Sequence, residues 1–569
     1  MADTLSEREN APETPCLVST ERGFSVSYKG RFLYSKYAPE RAILGAIDSL
    51  QILPNTLILA FSPALWLGLE ELLEKLPEDC FVLGVEADEN LHEFAKTELE
   101  KLQTTKNTAL LPYELNDYIV NILSGEDFPS KKEIGSLLPH ISTFRRAIPL
   151  EMSAGTQFNK EKYIAFASLA QNAIASFWKN RITLTRLGRL YSRNLFKNLS
   201  NIPHSLDFKS LAHTVSQPIF VFGAGESIEE TLARIPKSEI KKCFIMAVDA
   251  ASPALKAHGI RIDAIVAVEG QLAIEKAYIG GTAQNSLIIA DITSRSQVTR
   301  HSEKLTFFAS KYTDAQFFKN LSQKGFFPPT VPPLGSVGLT AVHLALLLRE
   351  NASVPVFVSG LDFSFSLGRT HTKNAPAHIA RLCASGKLHP AENYDAAFKA
   401  GAKQMLGKNS IPVFTDTALT GYANTFADFF AGTPNLYDAG AQGLSLGLQE
   451  ISAEKITAYL ETIEAKATTD LHRLESAEES AIISFLEGEE KALNRIKELL
   501  MFGKDVASCS CSLEEELHAL IAPREYLFLH FPDGYQCNTS DLSFLKRVRG
   551  QLDFFLKDIR KSLKTLNSF

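Results

Sequence analysis

The sequence has little of what marks export, membranes or nucleic-acid binding. Its start, Met1–Pro15, is polar and acidic with no apolar stretch, so it does not read as a secretory signal. No window approaches the ~18 consecutive apolar residues of a spanning helix, and no membrane span is expected. The formal net charge of −6 offers no field that attracts nucleic acid, and no long basic patch offsets it. The seven cysteines are an odd number: Cys16, Cys80, Cys243, Cys383 and Cys537 stand alone, and Cys509 with Cys511 is the one close pair. No second pair follows at zinc spacing, so no metal site is expected. Together these absences imply a reducing, cytoplasmic protein.

At 569 residues the chain exceeds one hydrophobic core, and about two to four domains are expected. After a start read as disordered (1–20), Phe24–Tyr28 alternates apolar and polar, and Lys29-Gly30 turns it into Arg31–Tyr34, a β-hairpin. A helix from Pro39, a strand Thr56–Phe61, a helix Ala64–Lys75, a strand Phe81–Glu86 and a helix Asn90–Leu102 follow. Alternating strands and helices imply a parallel sheet, giving a smaller N-terminal α/β domain over 21–150. Its first turn, Phe61–Trp66, lacks glycines, so Glu86 and Asp88 are read as parts of a scaffold or an acceptor site in preference to a nucleotide site. Residues 151–210 read as a helical connector.

A denser α/β pattern occupies 211–445, with strands at Ile219–Phe222, Phe244–Val248, Ala264–Val268, Leu287–Ala290, Thr306–Ala309 and Val356–Ser359. The helix Ser336–Arg349 is apolar nearly all round and must be buried. This is the central doubly wound, Rossmann-like domain. From 446 to 569, three- and four-residue apolar steps (Ile456, Tyr459, Ile463 onward to Phe485) and a basic amphipathic helix Leu542–Leu566 give a helical C-terminal domain. Its helices offer a surface for oligomer formation.

The chemistry gathers in the central domain. Gly223-Ala-Gly225 follows a strand and opens a helix, an arrangement that aims backbone N–H groups and a positive helix end at a phosphate. Ile228 stands where a dinucleotide fingerprint needs a third glycine, and no Gly-Lys-Ser/Thr follows, so a P-loop is excluded. A dehydrogenase reading persists as an alternative through Asp249, which ends the next strand. Asp249, Glu269, Asp291 and Asp362 all end strands, where an α/β sheet lines its ligand crevice; Glu269 and Gln271 suit sugar or nucleotide hydroxyls. Gly335-Ser336 is either a second anion site or a plain helix cap. Gly360–Asn374 collects Asp362, Arg369, His371 and Lys373 in one polar loop. His371 suits a general base for a hydroxyl, and Arg369 or Lys373 a departing phosphate. Tyr312, after the strand Thr306–Ala309, is a further candidate for a phosphate contact.

Gly223-Ala-Gly225-Glu-Ser227-Ile, Gly335-Ser336-Val337 with its apolar helix, and Gly360-Leu-Asp362 leading to His371 resemble the motility-associated factor (Maf) proteins. Tyr34–Pro39 and Leu436–Ala441 are also similar, so the likeness covers most of 20–445. It implies a central domain similar to archaeal hydroxymethylpterin pyrophosphokinase and to bacterial sialyltransferases, whose Gly-x-Gly-Pro-Ser turn holds the nucleotide; Glu226 stands at the proline. It further implies a cytoplasmic bacterial glycosyltransferase that needs no cofactor and supports flagellum assembly. That enzyme would move a nonulosonic acid from its CMP-activated form to Ser or Thr of flagellin. On that reading Gly223, Gly225, Ser227, Gly335 and Ser336 hold CMP, Glu269 and Gln271 contact hydroxyls, and His371 is the base. The alternatives are a pterin-type pyrophosphokinase using ATP and Mg²⁺ on Asp249, Asp291 and Asp362, and a non-catalytic flagellin-binding assembly factor.

Overall fold

The computed structural model describes residues 14–102, 107–124, 138–310, 315–464, 479–502, 511–534 and 536–568. The chain divides into two units, Met1–Thr183 and Leu184–Phe569, and the helix Lys160–Leu199 contains the boundary.

In the first unit, β1 (Cys16–Thr20), β2 (Gly23–Tyr28) and β3 (Arg31–Phe32) form an antiparallel sheet. Lys29 and Gly30 both take positive φ, as a two-residue hairpin turn matching strand twist requires. β1 overlaps the start read as disordered: pairing with β2 from Cys16↔Ser27 to Thr20↔Gly23 gives its backbone partners that composition does not reveal. Residues 1–13 lie outside the described residues. A parallel sheet follows, ordered β6 (Thr108–Leu110), β5 (Phe81–Val85), β4 (Thr56–Phe61), β7 (Arg146–Glu151). Every β4 residue is buried, the environment that an unbroken Leu/Ile/Phe run demands. The helix expected from Ala64 begins at Leu69, because Ala64 (φ 39°) and Trp66 (φ 54°) take left-handed backbone that a right-handed helix excludes. Glu86 is buried and accepts from Tyr163 O–H at 2.6 Å and Ala87 N–H at 2.9 Å. Asp88 caps the helix Glu89–Lys101 through Leu91 N–H and pairs with Lys29 at 2.7 Å. Both acids are thus engaged by the unit's own groups.

The second unit holds a nine-stranded sheet. Its strands are β8 (Ile219–Phe222), β9 (Phe244–Val248), β10 (Ala264–Ala267), β11 (Leu287–Asp291), β12 (Leu305–Ser310), β13 (Thr330–Val331), β14 (Val356–Ser359), β17 (Leu436–Asp438) and β18 (Gln449–Glu450), all paired in parallel. Between β14 and β17 a separate hairpin joins β15 (Lys403–Leu406) and β16 (Pro412–Thr415). The sheet order β13-β12-β11-β10-β9-β8-β14-β17-β18 runs outward from β8 one way and from β14 the other. The winding therefore reverses between β8 and β14, where such sheets open a crevice at their carboxyl edge. The helix Val337–Leu348 packs over β8, β9, β10 and β14, which accounts for its apolar surface.

The C-terminal helices Ala453–Glu461, Glu479–Phe502, Cys511–Ile521 and Leu542–Leu566 share one continuous core with this sheet. At its centre Tyr526 lies 4.9 Å from Phe196, 4.8 Å from Phe317 and 4.9 Å from Phe555, centroid to centroid. The expected segments 211–445 and 446–569 both fall within this unit. Among the described residues no helix is long and apolar enough to cross a membrane.

Candidate active site

Two turns meet at the reversal point. After β8 the chain passes through Gly223-Ala224-Gly225 into the helix Ser227–Arg234; after β14 it passes through Gly360 (φ 76°), Leu361 and Asp362. Gly223 N–H donates to Ser359 O and Gly225 N–H to Gly360 O, each at 2.8 Å. A Cβ on Gly223 would stand 2.2 Å from Gly360 O, and one on Gly225 would stand 2.4 Å from Asp362 Oδ2. The glycines are therefore required by the approach of one turn to the other. Asp362 fills the place at the helix start that an anion would take: it accepts from Ser227 N–H at 2.9 Å and from the Ser227 hydroxyl. Ser227 Oγ in turn accepts from Gly360 N–H at 2.8 Å. Burial pushes the Asp362 carboxyl up to about 6, against the Ser227 bonds and the nearby charge of Lys408. The expectation of bare N–H groups at this turn is corrected. Its positive helix end is answered by the protein's own carboxylate.

A cleft of about 710 Å³ opens beside the two turns. It is lined by Gly223–Gly225, by Gly360–Phe365, by Ser336–Gly338, and by His371, Asn393, Asp395, Lys399 and Asp416 of the segment following β14. Gly335 (φ 75°) gives the chain its left-handed entry, and Ser336 Oγ caps the Val337 helix by accepting from Gly338 N–H at 3.3 Å. This second helix end is answered by an uncharged hydroxyl. It keeps the positive potential that the Ser227 helix has lost, and it faces the cleft.

His371 also lines the cleft. Its Nδ1 lies 3.1 Å from Thr370 Oγ1, and burial holds its pKa below the ordinary histidine value, so the ring is neutral at neutral pH. The loop that carries it is tied to the neighbouring turn and helix. Thr372 N–H donates to Ala224 O at 3.0 Å, the Thr372 hydroxyl to Glu229 at 2.8 Å, and Ser366 N–H to Glu226 at 2.9 Å. Glu226 thus turns onto this loop and is not among the lining residues. Arg369 Nη1 stands 3.8 Å from Glu226 Oε2, and Lys373 N–H donates to Glu229 at 3.1 Å; neither residue lines the cleft.

The remaining sequence candidates sit around the cleft. Asp249 is buried, accepts from Ala250 N–H at 2.7 Å, and is pushed up to about 7 by burial. Its neighbours Val248 and Ala250 line the cleft, whereas Asp249 does not. Glu269 accepts from Gln271 N–H at 2.8 Å, and both stay outside the lining. Asp291 is buried and takes bonds from the N–H and O–H groups of Thr293 and Ser310. Tyr312 lies outside the described residues. Asp249 is held by Ala250, Asp291 by Thr293 and Ser310, and Asp362 by Ser227, and among the described residues no three His, Cys, Asp or Glu side chains are grouped to hold a metal. That set does not fit a Mg²⁺ site.

Asn393, Asp395, Lys399 and Asp416 were not singled out from the sequence. Asp416 caps the helix Thr417–Phe430 by accepting from Ala418 and Leu419 N–H at 3.0 and 2.9 Å, and lies 3.0 Å from Lys399 Nζ. The Leu419 bond, then Lys399, hold its carboxyl below the usual range. An Asp just before a helical run is a readable N-cap signal. Lys399 has no local pattern that separates it from a solvated surface lysine.

An "Uncharacterized protein" of Treponema pallidum (strain Nichols) is 31% identical over 584 residues, which cover 98% of this chain and 97% of that one. This chain belongs to that protein's family. The family model described as "6-hydroxymethylpterin diphosphokinase MptE-like" matches residues 193–368, so this member carries an MptE-like domain. In fold the chain is similar to the MAf glycosyltransferase from Magnetospirillum magneticum AMB-1, with TM-score 0.52 and 14% identity, covering 99% of this chain and 92% of that one. The Maf-like architecture with an MptE-like centre that the sequence resembles is thus present. The MptE-like match takes in both turns of the reversal point and ends before Arg369, so His371, Lys399 and Asp416 lie on a wall of the cleft beyond it.

Proposed function

We propose that the protein is a glycosyltransferase that moves a nonulosonic, sialic-acid-like sugar from a CMP-activated donor to Ser or Thr hydroxyls of flagellin in the bacterial cytoplasm. The observation that carries this reading is the cleft at the β8/β14 reversal, where a positive helix end and a neutral histidine face one space. The fold shared with a MAf glycosyltransferase supports the reaction class. The Maf resemblance supports the sugar and the acceptor.

In this mechanism the donor phosphate lies against the start of the Val337 helix, at the backbone N–H groups of Ser336 and Val337, beside Gly223 and Gly225. His371 takes the proton of the acceptor hydroxyl as the oxygen bonds to the anomeric carbon. The bond from that carbon to the phosphate oxygen breaks, and CMP leaves with the electron pair. What supports His371 as base is its place in the cleft and the burial that keeps its ring neutral. Asp362 acts through Ser227 as a positioning residue, since its oxygens are engaged there.

A second reading, a pterin-type pyrophosphokinase using ATP and Mg²⁺, draws on the MptE-like description. The metal set assumed for it, Asp249, Asp291 and Asp362, does not converge. The test is to incubate the purified protein with flagellin and a CMP-activated nonulosonic acid and to read intact flagellin mass. The expected result is addition of the sugar mass by the wild type and a rate at least ~100-fold lower for His371→Ala. Unmodified flagellin with the wild type, or an unchanged rate for H371A, overturns the reading. Flagellin capture without transfer points to an assembly factor, and ATP-dependent conversion of a hydroxymethylpterin to the second reading.

A further inference from the structure

We propose that Lys399 is the cation that binds the donor phosphate, an assignment that rests on the nucleotide-sugar reading above. An anionic donor needs positive charge in a cleft whose lining also includes Asp362, Asp395 and Asp416. Among the described residues that line the cleft, Lys399 is the one lysine or arginine. The cations the sequence suggested for this task point elsewhere: Arg369 turns toward Glu226, and Lys373 is outside the lining.

Lys399 is also held in place. One oxygen of Asp416 is fixed by Ala418 and Leu419 N–H at the start of the Thr417 helix, and the other lies 3.0 Å from Lys399 Nζ. The helix orients the carboxylate, and the carboxylate orients the ammonium. The helix end answers part of the Asp416 charge, so the ammonium is not spent wholly on its carboxylate. An ammonium has further N–H donors beyond the one aimed at Asp416, and with its side chain 53% exposed they remain open to a ligand. As a compact point charge on a flexible stem, lysine suits a phosphate approached from the rim. The start of the Val337 helix supplies further donors within the same cleft.

The experiment titrates the full-length protein with CMP and, separately, with cytidine, which lacks the phosphate, by calorimetry. Lys399→Met is expected to weaken CMP binding about tenfold or more, the loss of a charge-assisted bond, and to leave cytidine binding unchanged. Lys399→Arg is expected to recover most of the CMP affinity. K399M that binds CMP as tightly as wild type overturns the assignment while leaving the donor reading intact. Equal loss of CMP and cytidine also overturns it, because a phosphate contact is blind to the nucleoside. A wild type that binds neither removes the donor reading and this assignment together.

Discussion

Single carboxyls set how the fold responds to pH. Burial pushes Glu86 and Asp249 up to about 7 and Asp362 up to about 6. Between the unfolded value near 4 and these raised values the folded chain binds more protons than the unfolded one. Stability from these groups is therefore fully present below about pH 4 and is lost as pH rises through 6 to 7. Asp249→Asn keeps an oxygen for Ala250 N–H and removes the ionisation. It should raise stability at pH 8 by roughly 1–3 kcal/mol and flatten the slope between about pH 5 and 7. Urea unfolding at both ends of that window is the check, and a wild-type slope in D249N would contradict the assignment. Burial raises Asp438 as well, but this carboxylate has a cation against it: Lys408 Nζ lies at 2.5 Å, both side chains 2% exposed. Lys408→Met should cost about 3–5 kcal/mol by leaving Asp438 buried and uncompensated, again read by urea unfolding.

At the scale of elements, what a glycine faces decides what its loss costs. A Cβ on Gly223 meets Gly360 O at 2.2 Å and Gly360 C at 2.7 Å, both backbone, whereas one on Gly338 meets Leu361 Cδ2 at 2.4 Å, the end of a side chain that can rotate. Gly223→Ala should cost roughly 3 kcal/mol or more, because the two turns must separate. Gly338→Ala should cost roughly 1 kcal/mol, partly offset by better helix propensity. Thermal melts of the two variants test the order, and equal losses would contradict it. The elements that carry these turns were legible: β8 and β14 are short apolar runs that lead into glycine, and the Val337 helix is apolar nearly all round. Less legible were β15, whose residues are all exposed, and β17 and β18, of three and two residues, because short or solvated strands leave no apolar run to read.

At the scale of the molecule, one core runs from the nine-stranded sheet into the C-terminal helices. Ile482, Leu486, Leu493, Ile496, Tyr526 and Phe555 are each 0% exposed within it. A chain ending at residue 445 would uncover their partners. It should be recovered aggregated or without a cooperative melt, and a soluble fragment with a sharp transition would contradict a shared core. By itself the sequence determined the alternation of strands and helices, the doubly wound centre and the glycine turns. These follow from period, burial and turn chemistry among neighbours in the chain. Tertiary structure alone decided where the polar side chains of those turns point. Asp362 reaches Ser227 across 135 positions, and Glu226 reaches Ser366 across 140. No local rule specifies such a partner, so the turn that opens the Ser227 helix reads as an anion cradle in sequence and folds as an internal cap. The same limit hid Lys399, whose standing as the cleft's cation depends on where Arg369 and Lys373 turn.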